Sequence, residues 1–471
     1  MVPFVGQSYQ LSNRKADVQR TVNMYLKRVE SGTGKATYIL DSVPGLAYFA
    51  GAVGDGQVRG MVCIQGGRAF FVSGVTLYEL FEDTSYSSRI SMVSATGLVS
   101  MVIGRQHIVI ADGSSRLYIM TLATNADDSI TDVSYTGSVW IDYLGGRYVF
   151  GKAGTDQFGW TDIDDPTTID PLDFATAESS PDGLVKGKVF REELWLFGAQ
   201  RTEVWRPSSS PDAAFEKNQG VSINIGCAAA NTVCVIDNSI FWIGQDENGG
   251  AVVYSSSGYA PRRVSTRVVE EQMQSSTDIS SASAKCLQYR GDVFVSFQVP
   301  GVSTTWCYNA ASDSWHEEAE FVDGEFEPSR GVLHMFAFGR HLIGDEEDLI
   351  YRLDADLNRN HNDILCRERT SPHSATASLG RVFYSRLRLD CETGTVVDSS
   401  TPEVELYYSN DGGHTWSDSM PRSLGVVGQH RKSVQWNRLG SAEDRVWRIR
   451  CTDDVKFSIV NVDVQSTPGR S

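Results

Sequence analysis

Nowhere in this 471-residue chain do 18 apolar residues run together, so the sequence predicts no membrane-spanning helix. The N-terminus, Met1-Val2-Pro3-Phe4-Val5-Gly6-Gln7, has neither a basic nor an apolar leader region, and no secretory signal is expected. Cys-x-x-Cys pairs are missing too: the cysteines at 63, 227, 234, 286, 307, 366, 391 and 451 are scattered, and the nearest two, Cys227 and Cys234, have no histidine beside them. Buried free thiols made in a reducing compartment are therefore expected ahead of a zinc site. Positive charge is in deficit, with 42 Lys and Arg against 59 Asp and Glu and a formal net charge of −17. An acidic surface repels phosphate and argues against sequence-reading DNA contacts; it suits both a surface past which DNA slides and plain solubility.

Catalytic signatures fail one by one. Gly32-Thr33-Gly34-Lys35-Ala36 is no phosphate loop, because Val29 stands where its first glycine belongs and Ala36 where Ser or Thr belongs. There is no Gly-x-Ser-x-Gly elbow, no His-Glu-x-x-His, and no two histidines at ligand spacing. The Asp/Asn alternation from Asp354 to Asp363 resembles a calcium loop, but its sixth position is Arg359 rather than Gly and its twelfth is Leu365 rather than Glu. No catalytic, cofactor-binding or metal-binding residue is thus named, and neither an enzyme nor a cofactor is expected. Arg262-Arg263 with Arg267, and Arg367 with Arg369, read as solvated basic turns, and Asp345-Glu346-Glu347-Asp348 as a solvated hairpin turn.

What the chain does contain is a repeat. Polar turns at Arg68, Arg105, Arg147, Glu193, Ser239, Asp292 and Arg340 each lead into a short apolar strand. A following strand carries an aromatic in each case: Tyr78, Tyr118, Trp160, Trp205, Tyr254, Tyr308 and Tyr351. A unit recurring every roughly 40–50 residues is the signature of a β-propeller blade. The chain reads as all-β: a six- or seven-bladed propeller over 46–365, a smaller C-terminal β-sandwich over 366–471, and an N-terminal arm over 1–45. Val18, Val22, Tyr25, Leu26 and Val29 make a partial helical stripe in that arm, so it is expected to be partly helical and to pack on another domain. Two excursions interrupt the blades: 161–183 is Asp/Pro-rich, and 264–283 predicts a short helix followed by a Ser-rich loop. Trp160, Trp195, Trp205 and Trp315 are expected to be buried between blades. In the sandwich, Phe383, Ser385, Leu387 and Leu389 alternate with Tyr384, Arg386, Arg388 and Asp390, the period of a strand with one packed face.

One motif matches at every defined position. Ser409-Asn410-Asp411-Gly412-Gly413-His414-Thr415-Trp416 is an Asp-box, Ser-x-Asp-x-Gly-x-Thr-Trp. Asp411 can accept bonds from turn amides, Gly413 can take positive φ, and Trp416 can fold back over the turn. Sialidases carry such boxes, but they also carry an Arg-Ile-Pro strand, which is absent from this sequence. Ser409, Asp411, Gly413, Thr415 and Trp416 are therefore read as a structural hairpin.

The opening Pro3-Phe4-Val5-Gly6-Gln7-Ser8-Tyr9, the elements Asn23-Met24-Tyr25 and Val43-Pro44-Gly45-Leu46, the repeats, the Asp-box, Trp436-Asn437-Arg438-Leu439-Gly440 and Asp444-Arg445-Val446-Trp447-Arg448 together carry a resemblance over essentially the whole chain. It resembles the tail-hub, or packaged-DNA-stabilisation (head completion), proteins of short-tailed phages, those of phage P22 and its relatives. The resemblance implies a non-enzymatic virion protein assembled in the host cytoplasm. It would form a hexameric ring below the portal and its adaptor ring, plugged by the tail needle and flanked by tailspike trimers. Genomic DNA would be retained and then ejected through it without sequence-specific binding. The competing reading is a carbohydrate-active or receptor-binding propeller, sialidase-like or tailspike-type.

Overall fold

The computed structural model describes residues 4–51, 56–64, 67–131, 134–177, 183–209, 213–246, 249–375, 380–396 and 401–469. Residues 178–182 of the 161–183 excursion, together with Met1, Val2 and Pro3, the first residue of the opening motif, lie outside these.

Each polar turn of the repeat opens the second strand of a four-stranded antiparallel sheet, and each repeat aromatic lies on the third. The first blade shows the pattern: Val58–Cys63, Ala69–Ser73, Thr76–Leu80 and Tyr86–Ser91, hydrogen-bonded in chain order. Equivalent sheets follow over residues 100–130, 141–176, 184–217, 226–263 and 283–322. The seventh takes Leu333–Ala337, Arg340–Gly344 and Leu349–Asp354 from one end of the propeller and Gly45–Gly51 from the other. Seven blades are thus present among the described residues. The segment at 45–51 closes the last blade instead of opening the first.

Closure is also chemical. The acidic run at 345–348, expected to be solvated, exposes only its middle. Asp345 is buried and accepts the amides of Glu347 and Leu349 at 2.9 and 2.8 Å. Its carbonyl takes the Val58 amide of blade one at 3.1 Å, and Asp348 accepts the Ser73 hydroxyl at 2.5 Å. Joining the first and last blades removes the open edges that a row of sheets would expose.

The blades meet through aromatic rings. Trp195 packs with Phe190, Phe197 and Trp242 between blades four and five, and Trp315 with Trp306 and Phe297 between five and six. Trp160 is buried as well; Trp205 is only half-buried, its indole N–H turned to Glu203 Oε2 at 2.8 Å. A wedge the repeat pattern did not mark is Trp140. A Cβ added to Gly187 would stand 2.3 Å from its ring, so that close approach requires glycine. The predicted short helix forms at Arg267–Gln274, burying Val268, Val269 and Met273.

The N-terminal stripe is not a helix. Val18–Val22 and Met24–Arg28 are strands, and Asn23 between them has φ of +54°, which no helix tolerates. β-branched residues at 18, 21 and 22 favour the extended form once partner strands exist. Asn23 turns the chain from one sheet of the sandwich into the other. Met24–Arg28 joins Tyr38–Ser42, Ser458–Pro468, Val382–Cys391 and Val434–Asn437. Val18–Val22 joins Arg367–Thr370, Val446–Cys451, Glu403–Ser409 and Met420–Ser423. Leu387, Leu406, Trp436, Trp447, Ile449 and Phe457 fill the core between the sheets.

The alternation along 382–391 slips phase. Tyr384 points inward and Phe383 is 50% exposed, whereas Leu387 and Leu389 are buried as expected. A β-bulge between Tyr384 and Arg386 inserts one residue, and one residue reverses the faces.

Candidate functional site at the propeller–sandwich seam

Val18–Val22 pairs in parallel with blade six, at Val22 with Glu317, and antiparallel with Arg367–Thr370 of the sandwich. One hydrogen-bonded sheet therefore runs from blade six, through the N-terminal strand, into the sandwich. Neither domain completes this sheet alone.

Buried charge surrounds that strand. Glu317 accepts the Ser8 hydroxyl at 2.6 Å, Arg20 Nε and Nη2 at 2.9 and 2.7 Å, and the Thr304 hydroxyl at 3.1 Å. The Asn23 amide donates to the carbonyls of Ala319 and Cys366 at 2.8 Å each and accepts the Ala319 amide at 2.9 Å, tying blade six to the sandwich. Glu368 is fully buried and accepts Arg450 Nε and Nη2 at 3.0 and 2.6 Å; Arg448 Nε stands 3.4 Å from its other oxygen, an ion-pair contact without a hydrogen bond. Burial alone would raise the Glu368 carboxyl, but the guanidiniums of Arg448, Arg450 and Arg20 outweigh it and hold it below the usual range.

Arg367 and Arg369, read from sequence as solvated basic turns, are both fully buried. Arg369 donates to the carbonyls of Phe4 and Gln7 at 2.7 and 3.0 Å, to the Thr21 hydroxyl at 2.8 Å and to Gln19 Oε1 at 2.7 Å. Burial pushes it down to about 9, opposed by Asp17, so it stays charged at neutral pH. Arg367 donates to the carbonyls of Val455 and Asp453. These side chains hold the N-terminal segment and a sandwich loop, so neither is available to phosphate. Arg262 and Arg263 are exposed as expected, but Arg263 is committed to Glu270 at 2.6 Å.

The Asp-box docks beside the same seam. Asp411 accepts the amides of His414 and Thr415 at 2.9 and 3.0 Å and the hydroxyls of Ser409 and Thr415 at 2.6 Å each. Hydroxyl donors, Ser409 first and then Thr415, hold its carboxyl well below the usual range. Gly412 and Gly413 have φ of +75° and +83°, and Trp416 lies against Gly413. Arg448 covers the Trp416 ring at 3.6 Å, Arg445 donates to Asn410 at 2.8 Å, and Arg14 donates to the Gly413 carbonyl at 3.0 Å. A cavity of about 100 Å³ beside the box is lined by Gln10, Arg14, Arg20, Thr370, Trp416 and Arg448 among others, with no carboxylate. Glycoside hydrolysis uses paired carboxylates or a tyrosine–acid pair, and this cavity offers neither.

Sequence reading missed Glu317, Glu368, Arg20 and Asn23. A signal existed for one pair. Arg-Ile-Arg at 448–450 lies on a predicted strand, and Arg-Glu-Arg at 367–369, read as a turn, has the same alternating pattern; Glu368 does face Arg450 across the two. All eight cysteines are unpaired, four buried and four half-buried. Among the described residues, one trio with potential ligand atoms gathers: Cys307, His316 and Glu318. No helix among the described residues is long and apolar enough to cross a membrane.

A seven-bladed propeller hydrogen-bonded to a β-sandwich through its own N-terminal strand is the class of protein these features define. Residues 9–358 match the family described as Bacteriophage P22 Gp10, beta-propeller, and residues 373–467 match Bacteriophage P22 Gp10, beta-sandwich; the chain belongs to this family. The tail hub protein gp10 of Salmonella phage P22 is 22% identical over 370 residues, covering 75% of this chain and 76% of that protein. At that identity the chain is a relative of the P22 protein. It is a structural protein of a phage tail, located in the virion. Among solved structures, the WD40 β-propeller domain of Doa1 is 12% identical with a TM-score of 0.41, covering 66% of this chain and 97% of that one. The extracellular domain of the one-component system BT4673 from B. thetaiotaomicron is 9% identical with a TM-score of 0.44, over 66% and 39%.

Proposed function

We propose that this chain is the hub subunit of a short-tailed phage tail, a non-enzymatic protein of which six copies close into a ring below the portal and adaptor. The ring is plugged by the tail needle, carries tailspikes, retains packaged DNA and passes it on at ejection. Its parts are an arm over 1–45, a propeller over 46–365 and a sandwich over 366–471, with Ser409, Asp411, Gly413, Thr415 and Trp416 as a structural hairpin. Assembly takes place in the host cytoplasm, in keeping with eight unpaired thiols.

The observation that carries this reading is the continuous sheet through Val18–Val22, which joins propeller and sandwich into one hydrogen-bonded body. A ring subunit under the pressure of packaged DNA needs such a body, since heterologous interfaces close only when the angle per subunit is fixed. The formal charge of −17 suits a bore that does not trap DNA, because basic linings would bind phosphate. Mass measurement of the chain mixed with portal–adaptor complexes tests it. Six copies per complex are expected. A chain that stays monomeric in the mixture and hydrolyses O-antigen or sialosides would replace the hub with a carbohydrate-active propeller.

A further inference from the structure

Among the described residues, His316 stands out as a buried side chain with no hydrogen-bond partner. Its side chain is 2% exposed, and neither ring nitrogen has a hydrogen-bond partner. A buried imidazole normally satisfies both nitrogens, since each orphan costs the full desolvation of that group. The hairpin that carries it explains what stands around it. Thr305–Asn309 pairs with Ser314–Val322 so that Cys307 faces His316 and Thr305 faces Glu318. Side chains alternate along a strand, which brings Cys307, His316 and Glu318 to one face of blade six. One ligand atom from each lies within 4.8 Å of the others, and His316 Nε2 is 3.9 Å from Glu318 Oε1.

We propose that Cys307, His316 and Glu318 form a binding site for a divalent first-row transition ion of the zinc class. A tetrahedral ion with bonds of about 2.0–2.3 Å sets its ligands roughly 3.3–3.8 Å apart, so the trio closes with shifts of about an ångström or less. A sulfur, a nitrogen and one oxygen suit zinc or cobalt and not the all-oxygen preference of magnesium or calcium.

The carboxylate is already aimed. Glu318 Oε2 accepts the Ser296 hydroxyl at 3.2 Å and faces Lys285 Nζ at 3.7 Å, which leaves Oε1 turned to His316. Lys285 is itself anchored on the Gly331 carbonyl at 3.0 Å. Such outer contacts fix the orientation of metal ligands. The imidazole is held by the rings of Tyr25 and Phe294, with centroids at 6.2 and 6.0 Å. A cavity of about 70 Å³ borders both His316 and Glu318, with room for water as a further ligand.

Charge and protons balance. Neither His316 nitrogen is taken by a hydrogen bond, so the neutral imidazole has a lone pair to offer the ion. The Cys307 thiol loses its proton to solvent as the sulfur–metal bond forms. Thiolate and carboxylate then neutralise the divalent ion. The ion would clamp the third and fourth strands of blade six, the blade that receives the N-terminal strand.

Cobalt(II) added to the chelator-treated full chain tests this. One equivalent is expected to bind and give a thiolate-to-cobalt charge-transfer band, lost on adding zinc. Cys307→Ser should abolish the band, Cys391→Ser should leave it, and His316→Gln should weaken binding at least tenfold, since losing even an outer contact to a ligand costs about 10–100-fold. No band in the wild-type chain with cobalt in excess, or a band that survives in Cys307→Ser, overturns the site. If Cys307→Ser does not fold, X-ray absorption of the zinc-loaded wild-type chain decides: one sulfur scatterer supports the site and none refutes it.

Discussion

Truncating Glu317 to alanine should break the seam while leaving both cores intact. Glu317 is 4% exposed and gathers Ser8, Arg20 and Thr304. Its loss strands the Arg20 guanidinium, whose side chain is 22% exposed, against a surface built for a carboxylate. Breaking one side of a buried ion pair costs about 3–5 kcal/mol. Water reaches part of Arg20, so the ionic part belongs at the low end, about 3 kcal/mol. The orphaned Ser8 hydroxyl adds about 1 kcal/mol. The expected loss, about 3–4 kcal/mol, is read from the urea unfolding midpoint of the full chain. A double-mutant cycle with Arg20→Met isolates the pair and should show coupling of about 2 kcal/mol. Hydrogen exchange should accelerate first at 18–22 and 367–370, the strands that join the domains. A loss under about 1 kcal/mol, or a cycle additive within about 0.5 kcal/mol, refutes the claim that this pair holds the domains together.

Trp195→Ala, at a ring 1% exposed between blades four and five, should cost about 3–5 kcal/mol; an unchanged melting temperature contradicts the wedge. Asp411→Ala should lower stability by about 1 kcal/mol through lost turn contacts, and no hydrolysis of sialosides should be seen before or after the change. Glu368 is held below its unfolded value, so its stabilisation is complete above roughly pH 4.3 and is lost as pH falls through the lower folded value. Thermal melts across that acid range should therefore fall more steeply for the wild type than for Glu368→Gln, and parallel curves would show that the carboxylate is not linked to folding.

The seven turns and their aromatics were legible because a blade is local: its strands neighbour each other in sequence, and alternation with turn chemistry sets their pairing. The Asp-box was legible for the same reason, since every bond Asp411 accepts comes from within four residues. The helix at 267–274 also followed from local pattern. Tertiary structure alone decided the N-terminus and the seam. A stripe at 18–29 fits a helix in isolation, yet partner strands some 300 residues away, in blade six, supply hydrogen bonds that favour extended backbone. Arg367 and Arg369 look like solvated charge until the Phe4 carbonyl and the sandwich loop arrive to accept their hydrogen bonds. The Tyr384 bulge reversed one face of a strand, which composition cannot register because either phase offers apolar residues. Short-range geometry is written in adjacent residues. Burial of charge depends on which distant groups converge to solvate it, and that is known only once the chain has folded.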